Sequence, residues 1–96
     1  MVSSFDTIVE LDVNKKHRKT LWTVFDDPVR SNIAWREIEA MLEAAGAEIT
    51  EGSGSRIRIA LNGTRAVFHR PHRQKETDKG AVRSMRRFLS EAGVTP

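Results

Sequence analysis

Residues 54–73 read Gly54-Ser-Arg-Ile-Arg-Ile-Ala-Leu-Asn-Gly-Thr-Arg-Ala-Val-Phe-His-Arg-Pro-His-Arg73. Two alternating runs flank Asn62-Gly63. Asn-Gly is the favoured pair for a two-residue type I′ turn, because both central positions need positive φ. A turn that tight sets the register. Leu61 faces Thr64, Ile59 faces Ala66, Arg58 faces Val67, Ile57 faces Phe68 and Arg56 faces His69. The period of two then sorts the faces. Ile57, Ile59, Ala66 and Phe68 form an apolar side, while Arg56, Arg58, Arg65 and His69 fall mostly on the other. One side is a core. The other is a cationic surface, and function is to be sought there and at the strand exit, where Pro71 and His72 lie.

The elements around the hairpin follow from apolar spacing. Residues 47–51 read as a short strand with Ile49 its main apolar residue. Residues 34–45 read as a helix, with Trp35, Ile38, Met41, Leu42 and Ala45 recurring at helical spacing. Asn32 or Ala34 caps it, and Gly46 stops it as the C′ residue. Trp35 reads as an apolar anchor. A last helix spans 79–91, capped by Thr77 or Asp78, with Val82, Met85 and Leu89 as its stripe and Gly93 after it. A further short helix, 15–25, follows Asn14 as N-cap, with Leu21, Trp22 and Phe25 as a docking stripe. Its early lysines oppose the helix dipole. Residues 1–14 read either as an edge strand using Phe5, Ile8, Val9 and Leu11 or as a tail.

The fold class is therefore α+β: helix, three-stranded antiparallel sheet, helix, with an extra N-terminal helix. Two helices cover one sheet face and leave the other open. Ninety-six residues make one domain, able to bury a modest core.

Charge is unevenly distributed. Residues 1–51 carry 6 basic and 10 acidic side chains, net −4, and residues 52–96 carry 10 basic and 3 acidic, net +7. A concentrated positive half attracts polyanions even though the whole chain is only +3. No cysteine is present, which removes disulfides and thiolate metal sites. No apolar run is long enough to span a membrane, and the N-terminus lacks a signal-peptide pattern, so the expected compartment is the cytoplasm. The loop Glu51-Gly-Ser-Gly-Ser55 lacks the Gly-Lys-Ser/Thr of a phosphate loop.

His69 and His72 are too few for a metal site, and the charges of Arg70, Arg73 and Lys75 disfavour a bound cation, so neither metal nor cofactor is expected. RNA suits this inventory better. Cleavage without metal needs a base for the 2′-hydroxyl, an acid for the leaving oxygen and a cation for the crowded phosphate. His69 and His72 can move protons near neutrality, and Arg56 can hold phosphate. Arg58, Arg65, Arg70, Arg73, Lys75, Lys79, Arg83, Arg86 and Arg87 are the expected RNA-binding residues. Of these, Lys79, Arg83 and Arg87 on the last helix could form a continuous positive strip with the strand arginines. Such a strip gives affinity with little sequence specificity. His17, in a basic run, reads as a surface residue. Either histidine is also compatible with an exposed strand-end residue, or with one that hydrogen-bonds a neighbouring backbone group and only shapes the turn.

From Ile33 to Val94 the chain resembles the HicA family of toxins. The motifs are Leu42-Glu-Ala-Ala-Gly46 at a helix end, Gly54-Ser55 opening a strand, and Pro71-His72, Lys75-Glu76, Gly80-Ala-Val-Arg-Ser-Met and Glu91-Ala-Gly93 in that order. The resemblance implies that residues 33–96 are a HicA-like domain with a fold similar to the double-stranded RNA-binding domain, and that residues 1–32, with the short helix 15–25, are an N-terminal extension. It also implies metal-independent cleavage of messenger RNA and neutralisation by a HicB-like antitoxin. The family motif is Gly-Ser-His with a catalytic histidine, whose place Arg56 takes here. Arginine holds its proton too tightly to be a base near neutrality. Two accounts follow. In one, His69 or His72 moves the proton beside Arg56. In the other, the domain binds RNA or an antitoxin without cleaving. The N-terminal stripe leaves a protein-interaction module as a third reading.

Overall fold

The computed structural model describes residues 15–96. The elements run α1 (Lys15–Val24), β1 (Ile33–Ala34), α2 (Trp35–Ala44), β2 (Glu48–Glu51), β3 (Arg56–Leu61), β4 (Thr64–His69), β5 (Glu76–Thr77) and α3 (Lys79–Glu91). The edge strand or tail expected over 1–14, and Asn14 as a cap, lie outside the described residues.

The hairpin has the register its turn predicts. Leu61 pairs with Thr64, Ile59 with Ala66, Ile57 with Phe68 and Arg56 with His69. Asn62 (φ 51°) and Gly63 (φ 83°) both take the positive φ of a type I′ turn. β2 adds on the far side of β3, with Ile49 opposite Ile59, to give an antiparallel sheet in the order β2-β3-β4. Ile57, Ile59, Leu61 and Phe68 are buried on its inner face.

α2 and α3 cover that face. Ile38, Met41 and Leu42 come from α2, and Val82, Met85, Phe88, Leu89 and Ala92 from α3. Each large apolar side chain among them contributes about 1.5–3 kcal/mol by leaving water. Phe68 sits between two rings, with its centroid 6.1 Å from Trp35 and 6.0 Å, edge on, from Phe88. Ala34 caps α2 without a side-chain bond, whereas the Asp78 carboxylate caps α3 by accepting from the Ala81 N–H at 2.8 Å. Gly46 (φ 99°) ends α2 as the C′ residue. At the opposite end of the molecule Asn62 Nδ2 donates to the Ala92 carbonyl at 2.8 Å, tying the hairpin tip to the end of α3.

Two features depart from expectation. A second, two-stranded sheet pairs Ile33 with Thr77 and Ala34 with Glu76. Strands of two residues carry no periodicity, so the pattern reading misses them. α1 also turns differently. Leu21 and Val24 are buried in the common core and Phe25 packs against it, but Trp22 is 61% exposed. At about 100° per residue, Trp22 lies a quarter turn away from Leu21, whereas Val24 and Phe25 return to its side. α1 is fixed to α3 by Arg86, whose guanidinium donates to the carbonyls of Val24, at 2.7 Å, and of Asp26.

Candidate nucleic-acid interface

Alternation along β3 and β4 sends Arg56, Arg58, Arg65 and His69 to the sheet's outer face, where all four are exposed. Val67, 54% exposed, stands among them. The main-chain register brings Arg56 directly across from His69. At the same end, Arg70 N–H donates to the Ser55 carbonyl at 2.9 Å, closing the ladder. The Ser55 hydroxyl lies 3.5 Å from His69 Nδ1, at the outer limit of a hydrogen bond. Ser55, Arg56 and His69 thus form one exposed cluster at the open end of the hairpin. Ser55 was not anticipated as a site residue, and its only signal was its place in the Gly54-Ser55 strand opening.

His72 is elsewhere. It lies past Pro71 in the segment joining β4 to β5 and lines a groove of about 550 Å³ whose other wall is Ala34 of β1 and the start of α2, including Trp35 and Arg36. Arg73 and Lys75 line the same groove and are exposed. His69 does not line it.

The groove is held by a network centred on Glu39. Its Oε1 accepts from Trp35 Nε1 at 2.6 Å and from Arg70 Nε at 2.8 Å, and its Oε2 accepts from Arg70 Nη2 at 3.0 Å. Arg70 Nη1 reaches Glu51 at 2.7 Å. The Arg70 hydrogen bonds hold the Glu39 carboxyl below its usual value of 4.5, against the opposing pull of burial. The same two carboxylates raise the guanidinium of Arg70. Arg70 therefore bolts the start of the His72 segment to α2 and β2. Glu39 and Glu51 escaped the sequence reading, because their partner lies 31 and 19 residues away.

The remaining cations divide between two faces. Lys79, Arg83 and Arg87 are exposed on α3, on the helical layer, whereas the strand arginines point away from that layer. Arg70 and Arg86, expected among the phosphate ligands, are engaged within the fold instead.

The family pattern of the HicA toxin of bacterial toxin–antitoxin systems matches residues 35–94, from the first residue of α2 to the residue after Gly93. The chain belongs to the HicA toxin family. α1 and the connection after it lie outside the matched residues. No curated protein and no solved structure matches it. Among the described residues, no group of three or more His, Cys, Asp or Glu side chains is placed to hold a metal ion, and no helix is long and apolar enough to cross a membrane.

Proposed function

We propose that this HicA chain is the toxin of a type II toxin–antitoxin pair, binding messenger RNA and cleaving it without a metal. The observation that carries this is the juxtaposition of His69, Arg56 and Ser55 on the exposed cationic face of a HicA-family domain. The helix–sheet–helix order is the one expected of a double-stranded RNA-binding-domain-like fold, which meets RNA through its backbone.

In this reading Arg56, Arg58 and Arg65 bind phosphate. The His69 imidazole takes the proton of a 2′-hydroxyl. The 2′-oxygen attacks the adjacent phosphorus, the P–O5′ bond breaks, the 5′-oxygen takes a proton from solvent, and a 2′,3′-cyclic phosphate remains. Arg56 offsets the charge that builds on the phosphate oxygens. Ser55, on Nδ1, favours the orientation that presents Nε2 outward. His72, in the groove with Arg73 and Lys75, is the second candidate for a proton role. Lys79, Arg83 and Arg87 add affinity from the helical layer. A HicB-like antitoxin would act by covering the cationic sheet face. The cytoplasm, where messenger RNA is, is the compartment this reading requires.

The second reading is a HicA domain that binds RNA or antitoxin and cleaves nothing. Arg56, standing where the family places its histidine, favours it. RNA cleavage in EDTA separates the two, with wild type beside His69→Ala, His72→Ala and Arg56→His. Loss in one histidine variant places the proton transfer there. An inactive wild type that Arg56→His activates assigns the chain to the second reading.

A further inference from the structure

α1 lies outside the family match, yet its charge is placed at a cost. Its first turn holds Lys15, Lys16 and Arg18 and no acidic residue. Positive charge at the positive end of the helix dipole opposes helix formation. α3, by contrast, begins on the carboxylate of Asp78.

The helical period gathers these residues. Lys15, Arg18, Lys19 and Trp22 follow the spacing i, i+3, i+4, i+7 and share one side of α1. The opposite side carries the buried Thr20, Leu21 and Val24. Lys15 and Lys19 are exposed, Arg18 is half-exposed, and the indole of Trp22 is 61% exposed. Trp22 is the most exposed large apolar side chain among the described residues. The exposed Lys15 and Lys19 share that face, so an apolar protein partner would have to desolvate two charges to reach it. An unpaired nucleotide needs what this face offers, an aromatic surface for the base with cations beside it for the phosphates.

We propose that the outward face of α1 is a stacking platform for single-stranded RNA, with Trp22 receiving a base and Lys15 and Lys19 holding the flanking phosphates. The proposal rests on the RNA-directed reading above and adds to it where, and in what state, the substrate strand is gripped. Arg86 gives the platform a fixed position, because it anchors the end of α1 to the family domain.

The test uses the full chain and a 2′-O-methyl oligoribonucleotide of about 12 nucleotides, which binds but lacks the attacking hydroxyl. Binding is followed by tryptophan fluorescence and by anisotropy of a labelled strand. Trp35 is buried and serves as internal background. Wild type is expected to show quenching with the single strand and none with a duplex of equal length. Trp22→Ala is expected to weaken binding roughly five- to a hundredfold, while Trp22→Phe stays within about threefold. The double change Lys15→Ala, Lys19→Ala should flatten the plot of log affinity against log salt by about 1.4.

Unchanged affinity in Trp22→Ala, with binding lost in Arg58→Ala, Arg65→Ala, overturns the platform and leaves the toxin reading intact. Equal loss of a polyglutamate peptide and of RNA in Trp22→Ala overturns it in favour of an acidic protein segment. Absence of any RNA binding by wild type removes both readings.

Discussion

Glu39→Gln is the sharpest test of how the His72 groove is held. The change preserves shape and removes one charge. The Gln carbonyl can still accept from Trp35 Nε1 and Arg70 Nε, but its amide then faces Arg70 Nη2, a donor against a donor. One charge-assisted bond is lost, and the attraction behind the other is weakened. Glu39 and Arg70 are 19% and 33% exposed at their side chains, so water replaces little of this. Bonds to charged groups contribute about 1.5–3 kcal/mol, and about 2 kcal/mol is expected here. For a domain of this size that is a fall in Tm of roughly 8–16 °C. The pH dependence follows from the lowered carboxyl. A group whose folded pKa is depressed contributes stability above its unfolded value, near 4.5, and loses it as pH falls through the folded value. The gap between wild type and Glu39→Gln should therefore be widest near neutrality and close below 4.5. Thermal unfolding by circular dichroism at about pH 7 and about pH 3.5 measures it. A gap that is the same at both, or a fall under about 3 °C at neutrality, refutes the network as the bolt of this groove. Glu51→Gln is the control. Glu51 is 67% exposed and should cost well under about 1 kcal/mol.

Other expectations are independent of that network. Arg86→Met removes the donor to two main-chain carbonyls and should cost about 2–3 kcal/mol in urea unfolding, with faster proteolysis between residues 25 and 32. Asn62→Ala should cost about 2 kcal/mol, half from positive φ and half from the lost bond to Ala92, while Asn62→Gly should cost about half as much. Thr77→Val should raise stability by about 1 kcal/mol, because the buried Thr77 hydroxyl has no hydrogen-bond partner.

The parts of the fold readable from the sequence are those whose signal is local. Asn62-Gly63 dictates a turn by its backbone preference alone, and every pair in the hairpin follows from counting outward. The stripes of α2 and α3 follow in the same way, as does Asp78 at the start of α3. What escaped depends on partners distant in the chain. Nothing near Arg70 announces Glu39, and nothing near Arg86 announces the carbonyls of Val24 and Asp26. Both arginines therefore read as free phosphate ligands. The β1–β5 pair is two residues long on each side, too short for any period. Trp22 was misplaced for a different reason. A single turn holding Leu21, Trp22, Val24 and Phe25 permits two stripes, and only packing against α2 and α3 chooses between them. Within the candidate site, His69 across from Arg56 was legible from register. Its separation from His72 was not, because Pro71 lies between them and the segment beyond has no repeating pattern.

The Arg86 clamp grips oxygen atoms that every residue possesses. It recognises the route of the incoming chain and is indifferent to most of its spelling. The clamp itself makes no demand on the side chain of residue 26, whose carboxylate instead accepts from the Asp27 N–H and from Arg30 Nε within the connection. A domain equipped in this way behaves as a socket. Different N-terminal helices can be plugged into it over evolutionary time, or by grafting, while the body that carries the hairpin stays unchanged.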